Sequence, residues 1–81
     1  MKKHSWILIS LFLITNQVFA LSKKEVRAII EEAYPGARIT EIDRETYKGQ
    51  KIYEVDFKHG GENLEAIISL EGEIIIVEID D

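Results

Sequence analysis

The chain has 81 residues, a formal net charge of −5 and no cysteine. The lack of cysteine excludes a disulfide framework and thiol catalysis. The acidic balance argues against nucleic acid or anionic lipid as an electrostatic partner and favours a cationic one. A chain of this length forms one small domain, which cannot enclose the pocket of ~300–1,000 Å³ that small-molecule sites need.

Residues 1–20 have the pattern of a secretory signal peptide. Lys2 and Lys3 precede an apolar run from Trp6 to Ile14, and Ala20 ends a short segment suited to cleavage. The alternative is an uncleaved anchor, but the run is much shorter than the ~20 residues of a spanning helix. We therefore expect a mature domain at residues 21–81 with a net charge of −7, secreted or periplasmic in a bacterium, with no membrane contact after cleavage.

An amphipathic helix is predicted at the start of the mature domain. Ser22 and Glu25 have the spacing of a capping box. An apolar stripe follows at helical spacing, and Pro35 ends the helix because it cannot donate a backbone hydrogen bond. The stripe consists of Val26, Ile29, Ile30 and Ala33.

Four strands are predicted after the helix. The first, residues 37–47, is rich in charge and so suits a sheet edge, and the spacing of Ile39 and Ile42 requires a bulge. Lys48-Gly49 is a turn, and residues 52–58 alternate apolar and polar side chains. Gly60-Gly61 and Glu71-Gly72 are predicted as two-residue turns that join the last three strands.

These two turns set a register in which apolar residues face one another on one side of the sheet. The predicted pairs are Phe57–Leu64, Val55–Ala66, Tyr53–Ile68, Ile68–Ile75, Ala66–Val77 and Leu64–Ile79. The helix would cover this side. The predicted class is therefore α+β, with one N-terminal helix packed on a four-stranded antiparallel meander sheet.

The mature chain resembles the PepSY domain family. The resemblance lies in Tyr34-Pro35-Gly36-Ala37 after the helix, Tyr53-Glu54-Val55 in a strand, and Gly72 before a final apolar strand. It is especially like the small secreted PepSY-like proteins, some of them grouped as beta-lactamase-inhibitor-like, although Leu70-Glu71-Gly72 stands where an Asp-rich turn is common. The resemblance implies a helix on an antiparallel sheet, a role in inhibiting or regulating extracytoplasmic peptidases, and no catalytic residues.

The side of the sheet away from the helix carries the candidate site. The predicted register places Asp56, Glu65 and Glu78 in one acidic row, although like charges opposite one another cost stability. The row can be a docking surface for a basic segment or a weak Ca²⁺ site, or simply a solvated acidic surface, which is the commoner case.

An isoleucine patch is predicted beside the acidic row, because the register extends the same side to Ile52, Ile67, Ile74 and Ile76. Contiguous apolar patches often mark partner surfaces. We therefore expect a non-enzymatic protein-binding module, with a peptidase as a candidate partner and with Asp56, Glu65, Glu78, Ile67, Ile74 and Ile76 as partner-binding residues. The alternative is an assembly protein, a monomer or weak homodimer that self-associates through the isoleucines.

Catalysis, a cofactor and a bound metal are not predicted. His59 lies at a turn with no partner that would make it a general base, and we expect it to be solvated. Ser22 and Ser69 lack a matching His, and there is no phosphate-binding glycine loop or metal-ligand motif.

Overall fold

A computed structural model describes residues 20–80, which form one helix and one four-stranded antiparallel sheet. The signal-peptide prediction for residues 1–20 lies almost entirely outside the described residues. Within the described part, no helix is long and apolar enough to cross a membrane. The predicted α+β class is confirmed, and the strands follow one another across the sheet in chain order. The elements are α1 Lys23–Ala33, β1 Arg38–Tyr47, β2 Gln50–His59, β3 Glu62–Ser69 and β4 Ile74–Ile79.

Helix α1 begins with the predicted capping box. The Glu25 amide donates to the Ser22 hydroxyl, and the Ser22 amide donates to the Glu25 carboxylate at 2.8 Å. Both bonds satisfy amides that have no partner within the helix. Val26 and Ile30 are fully buried against the sheet, whereas Ala33, predicted as the last member of the stripe, is exposed because α1 ends there.

The predicted register of β2 with β3 is confirmed at every pair, and so is the bulge in β1, which lies between Ile39 and Glu41. Lys48-Gly49 and Gly60-Gly61 all have positive φ, which two-residue hairpin turns of this kind require. Side chains from α1 and the four strands form one apolar core. Its buried members are Val26, Ile30, Ile42, Tyr53, Val55, Phe57, Leu64, Ala66 and Ile68.

The connection between β3 and β4 differs from the predicted two-residue turn. It spans residues 70–73, and the buried Ser69 hydroxyl accepts hydrogen bonds from the amides of Glu71 and Glu73. This wider loop puts a bulge in β4, so Ile68 pairs with Ile74 instead of Ile75. The pairs Ala66–Val77 and Leu64–Ile79 are confirmed because they lie beyond the bulge.

The β4 bulge also corrects the predicted core. Ile74, predicted on the side away from α1, packs against the core, whereas Ile75, predicted in the core, is 42% exposed. Ile79 is 58% exposed although it pairs with Leu64 as predicted, because β4 is the last strand of the sheet.

The segment before α1 is joined to the sheet at Leu21. Its amide donates to the Leu70 carbonyl at 3.2 Å, and its carbonyl accepts a hydrogen bond from the Tyr53 hydroxyl at 2.5 Å. Gly72 approaches the same place, since a Cβ on it would lie 3.1 Å from the Leu21 side chain and 3.3 Å from that of Ile29. The loop from 70 to 73 therefore packs against the start of the domain.

Candidate functional site

The side of the sheet away from α1 is an acidic face. Alternation along each strand places polar side chains there, opposite the core. The register brings Asp56, Glu65 and Glu78 into the predicted acidic row and adds Glu41 to it from β1. The acidic face consists of Glu41, Asp43, Glu45, Glu54, Asp56, Glu65, Glu78 and Asp80, with Arg38 and Lys58 at one end.

A shallow concavity of about 190 Å³ lies at the centre of the acidic face. Ile67 and Ile76 pair across β3 and β4 there, and carboxylates border them. The concavity is smaller than a typical small-molecule site, so it suits a side chain of a larger partner. It is lined by Tyr47, Glu54, Glu65, Ile67, Ile76 and Glu78.

The predicted isoleucine patch is not exposed as a continuous surface. Ile52 is fully buried and Ile67 is only 8% exposed, although both lie on the acidic-face side, and Ile74 packs against the core. Only Ile76 of the four stays partly exposed on that side. Of the predicted partner-binding residues, the structure thus brings together Asp56, Glu65, Glu78, Ile67 and Ile76 and separates Ile74 from them.

Glu54 and Tyr47 are members of this site that the sequence reasoning did not single out. Glu54 lies across from Ile67 in the β2–β3 register, and Tyr47 is the last residue of β1. The signal for Tyr47 is its phase in β1, since Ile42 faces the core and Tyr47 lies an odd number of positions further along the strand. The bulge of β1 lies before Ile42, so alternation from Ile42 onward places Tyr47 on the side away from the core.

Two carboxyl groups at the centre of the acidic face, those of Glu54 and Asp56, have raised pKa values. A side-chain hydrogen bond with Glu65, followed by burial and by the charges of Glu65, Asp56 and Glu45, raises the pKa of Glu54 from 4.5 to about 7. Burial, followed by the charges of Glu65, Asp80 and Asp43, raises the pKa of Asp56. The face therefore concentrates negative charge that ordinary solvation does not fully offset.

Glu41 shows the same effect on the β1 side of the face. A side-chain hydrogen bond with Asp43, followed by the charge of Asp43, raises the pKa of Glu41. A side-chain hydrogen bond with a neighbouring carboxylate thus raises the pKa at two places on the acidic face, at Glu54 beside Glu65 and at Glu41 beside Asp43.

Two groups of carboxylates bring oxygen atoms within 4.8 Å of one another: Glu54 with Asp56 and Glu65, and Glu54 with Asp43 and Glu45. Carboxylate oxygens are the ligands that Ca²⁺ prefers. Each group supplies three ligands, fewer than the about six to eight that Ca²⁺ takes, so neither forms a complete protein shell.

His59 has a structural position that differs from the solvated one predicted. Its Nε2 lies 3.1 Å from the Pro35 carbonyl oxygen, and its ring meets the Tyr34 ring edge-on at 5.5 Å between centroids. Tyr34 in turn packs against Phe57 at 5.1 Å. His59 therefore joins the β2–β3 hairpin to the loop after α1, remote from the acidic face.

Comparison with known proteins identifies the family. Residues 20–80, well over half of the chain, match the PepSY family, described as peptidase propeptide and YPEB domain. No curated protein and no solved structure matches the chain. PepSY domains are associated with peptidase propeptides and regulation, are generally non-catalytic and occur in extracytoplasmic proteins. With one helix on an antiparallel sheet and a match along the whole described domain, the chain belongs to the PepSY family.

Proposed function

We propose that this protein is a secreted or periplasmic, non-enzymatic module that binds an extracytoplasmic peptidase, or the precursor of one, and regulates it. The family association with peptidase propeptides supports the class of partner. The observation that carries the proposal is the acidic face, a broad sheet surface that no described element covers and that has at its centre a concavity lined by apolar and acidic side chains.

The concavity and its border have the composition of a protein contact. Ile76 and Tyr47 offer apolar surface beside the mostly buried Ile67, and Glu54, Glu65 and Glu78 surround it with negative charge. Such an arrangement favours a partner with a basic rim around an apolar or aromatic side chain, because complementary charge speeds encounter and excludes wrong partners.

Self-association through this face has less support. The isoleucines that would form an apolar interface are mostly buried within the chain, and two acidic faces brought together would repel. A cationic partner relieves the repulsion that already exists between Glu65 and Glu78.

The test removes charge from the acidic face without changing its shape. Glu65→Gln with Glu78→Gln takes two negative charges from the row, whereas Glu31→Gln with Glu32→Gln takes two from the exposed surface of α1. We expect purified wild-type protein, immobilised, to retain peptidase activity from the extracytoplasmic fraction of its host and, when added free, to change its rate of peptide hydrolysis.

The face variant should bind the retained peptidase at least about tenfold more weakly than the α1 variant does. Equal binding by both variants would remove the acidic face as the site. A wild-type protein that neither retains a peptidase nor changes its rate would overturn the proposed function. Ile67→Lys is a poor probe, because that side chain is only 8% exposed and the charge would unfold the domain.

A further inference from the structure

The two edge strands of the sheet, β1 and β4, differ in how strongly their charged residues discourage pairing with a strand of another chain. Strand β1 carries five charged residues along its length, and charge on an edge strand discourages pairing with other chains. Strand β4 has the sequence I-I-I-V-E-I, with one charged residue among five apolar ones. The edge formed by β4 is therefore the one open to a further strand.

The backbone of β4 offers hydrogen-bonding groups at defined positions. The Asp80 amide donates to the Asn63 carbonyl at 2.8 Å, and bonded pairs alternate along an antiparallel ladder. Glu78 and Ile76 therefore bond to β3, whereas the amides and carbonyls of Val77 and Ile79 point to the free edge. An added strand would satisfy these groups without any change in the sheet.

The side chains of β4 are also suited to pairing with an added strand. Ile75 and Ile79 are the only large apolar residues of the described chain that are strongly exposed, at 42% and 58%, and both belong to this strand. Val77 and Ile79 lie on the side of the sheet that α1 covers, where a neighbouring apolar side chain would bury them.

The residues of β4 on the acidic-face side favour an added strand with positive charge. Glu78 and Asp80 lie there next to Glu65 and Asp56. A second copy of this chain pairing through β4 would bring the Glu78 carboxylates of both copies to one side of the joined sheet, which like charge opposes. Basic side chains at the same positions would instead neutralise the acidic row.

We propose that the free edge of β4 accepts an extended segment of the partner in which basic residues alternate with apolar ones. The basic side chains lie over the acidic face beside Glu78, and the apolar ones pack beside Val77 and Ile79. This inference rests on the proposed function, since it specifies how the peptidase partner is held.

The test uses a synthetic peptide in which lysine and valine alternate, with blocked ends, and a matched peptide with glutamate in place of lysine. Amide hydrogen exchange is followed by NMR for the purified protein alone and with each peptide. We expect the lysine peptide to slow exchange at Val77 and Ile79 by about tenfold or more, because their amides gain acceptors, and the glutamate peptide to change nothing.

Two variants at position 79 separate the contribution of the backbone amide to peptide binding from that of the side chain. Ile79→Pro removes an amide that faces the free edge, a place where proline fits a strand, and Ile79→Val keeps the amide. We expect lysine-peptide affinity to fall about tenfold for the proline variant and to change less than about threefold for the valine variant.

The inference is overturned if the lysine peptide slows amide exchange of the wild-type protein only in β1, or leaves it unchanged at Val77 and Ile79. This outcome does not depend on whether a variant folds. If Ile79→Pro still retains the peptidase but Glu65→Gln/Glu78→Gln does not, the inference about the β4 edge is overturned. The proposed function stands in that case. If wild-type protein retains no peptidase, the proposed function fails, and lysine-peptide protection at Val77 and Ile79 still supports the β4 edge as a strand acceptor.

Discussion

Glu54 lies at the crowded centre of the acidic face. Asp43 stands opposite it on β1, Glu65 shares a hydrogen bond with it from β3, and Glu45 and Asp56 add negative charge from either side. Glu78 borders the same concavity from β4. No basic residue of the described chain pairs with Glu54 in the sheet register. With its pKa raised to about 7, Glu54 therefore keeps a proton in part of the molecules near neutral pH.

We predict that this proton makes stability depend on pH. Because the pKa of Glu54 is about 7 in the folded chain and 4.5 ordinarily, the folded state binds the proton more tightly between these values. The contribution of Glu54 to the free energy of unfolding is thus fully present below pH 4.5 and is lost as pH rises through about 7. Thermal unfolding of wild type at a series of pH values from about 4 to 8 measures the decrease.

Glu54→Gln should flatten this part of the pH profile, because the amide can donate to Glu65 at any pH without a proton to lose. Glu31→Gln, on the exposed side of α1, is the matched control and should leave the wild-type slope unchanged. Parallel profiles for wild type and Glu54→Gln would show that the shared proton is not at Glu54.

At the scale of the elements, the loop between β3 and β4 shows how one contact changes a strand. The Ser69 hydroxyl accepts hydrogen bonds from two loop amides, so the turn is wider than predicted and β4 contains a bulge. As a result, Ile74 packs against the core and Ile75 is exposed. Gly72 allows the loop to lie against Leu21 and Ile29. The acidic row keeps its predicted register because it lies on the far side of the bulge.

We predict that Gly72→Ala destabilises the domain more than Gly61→Ala does. Both glycines have positive φ, at 98° and 83°, so both substitutions carry the same type of backbone strain. Only the Gly72 methyl would meet neighbours, at 3.1 Å and 3.3 Å. We expect Gly61→Ala to cost about 1 kcal/mol and Gly72→Ala about 1–3 kcal/mol more, measured by urea unfolding. Equal losses would mean that Leu21 and Ile29 move aside freely.

At the scale of the whole molecule, the distribution of negative charge opposes the association of two copies of this chain. Residues 21–81 carry a net charge of −7, concentrated on one face of the sheet. A small acidic domain of this kind repels its own copies and attracts cationic surfaces. The open β4 edge is compatible with solubility because Glu78 and Asp80 stand beside it.

We therefore predict a monomer at neutral pH and low salt, where repulsion between acidic faces is least screened. Light scattering over a range of protein concentrations measures the mass. A dimer that Ile79→Lys converts to monomer would place a second copy on β4 and so contradict the partner that we infer for that edge. Glu31→Lys makes the same charge change on α1 and is the control.

The local pattern of the sequence determined the capped helix, the hairpin turns with glycine at positive φ and the alternation that pairs Glu65 with Glu78. These depend on neighbouring residues: the β2–β3 register follows from its Gly60-Gly61 turn, whereas β4 regains the predicted register only past its bulge. The tertiary structure alone decided that Ser69 would turn inward and bulge β4, that Ile52 and Ile67 would be buried away from α1, and that Tyr47 would reach the outer concavity. Those outcomes depend on which side chains from distant strands meet, and the bulge in β4, unlike the one in β1, leaves no spacing signal in the chain.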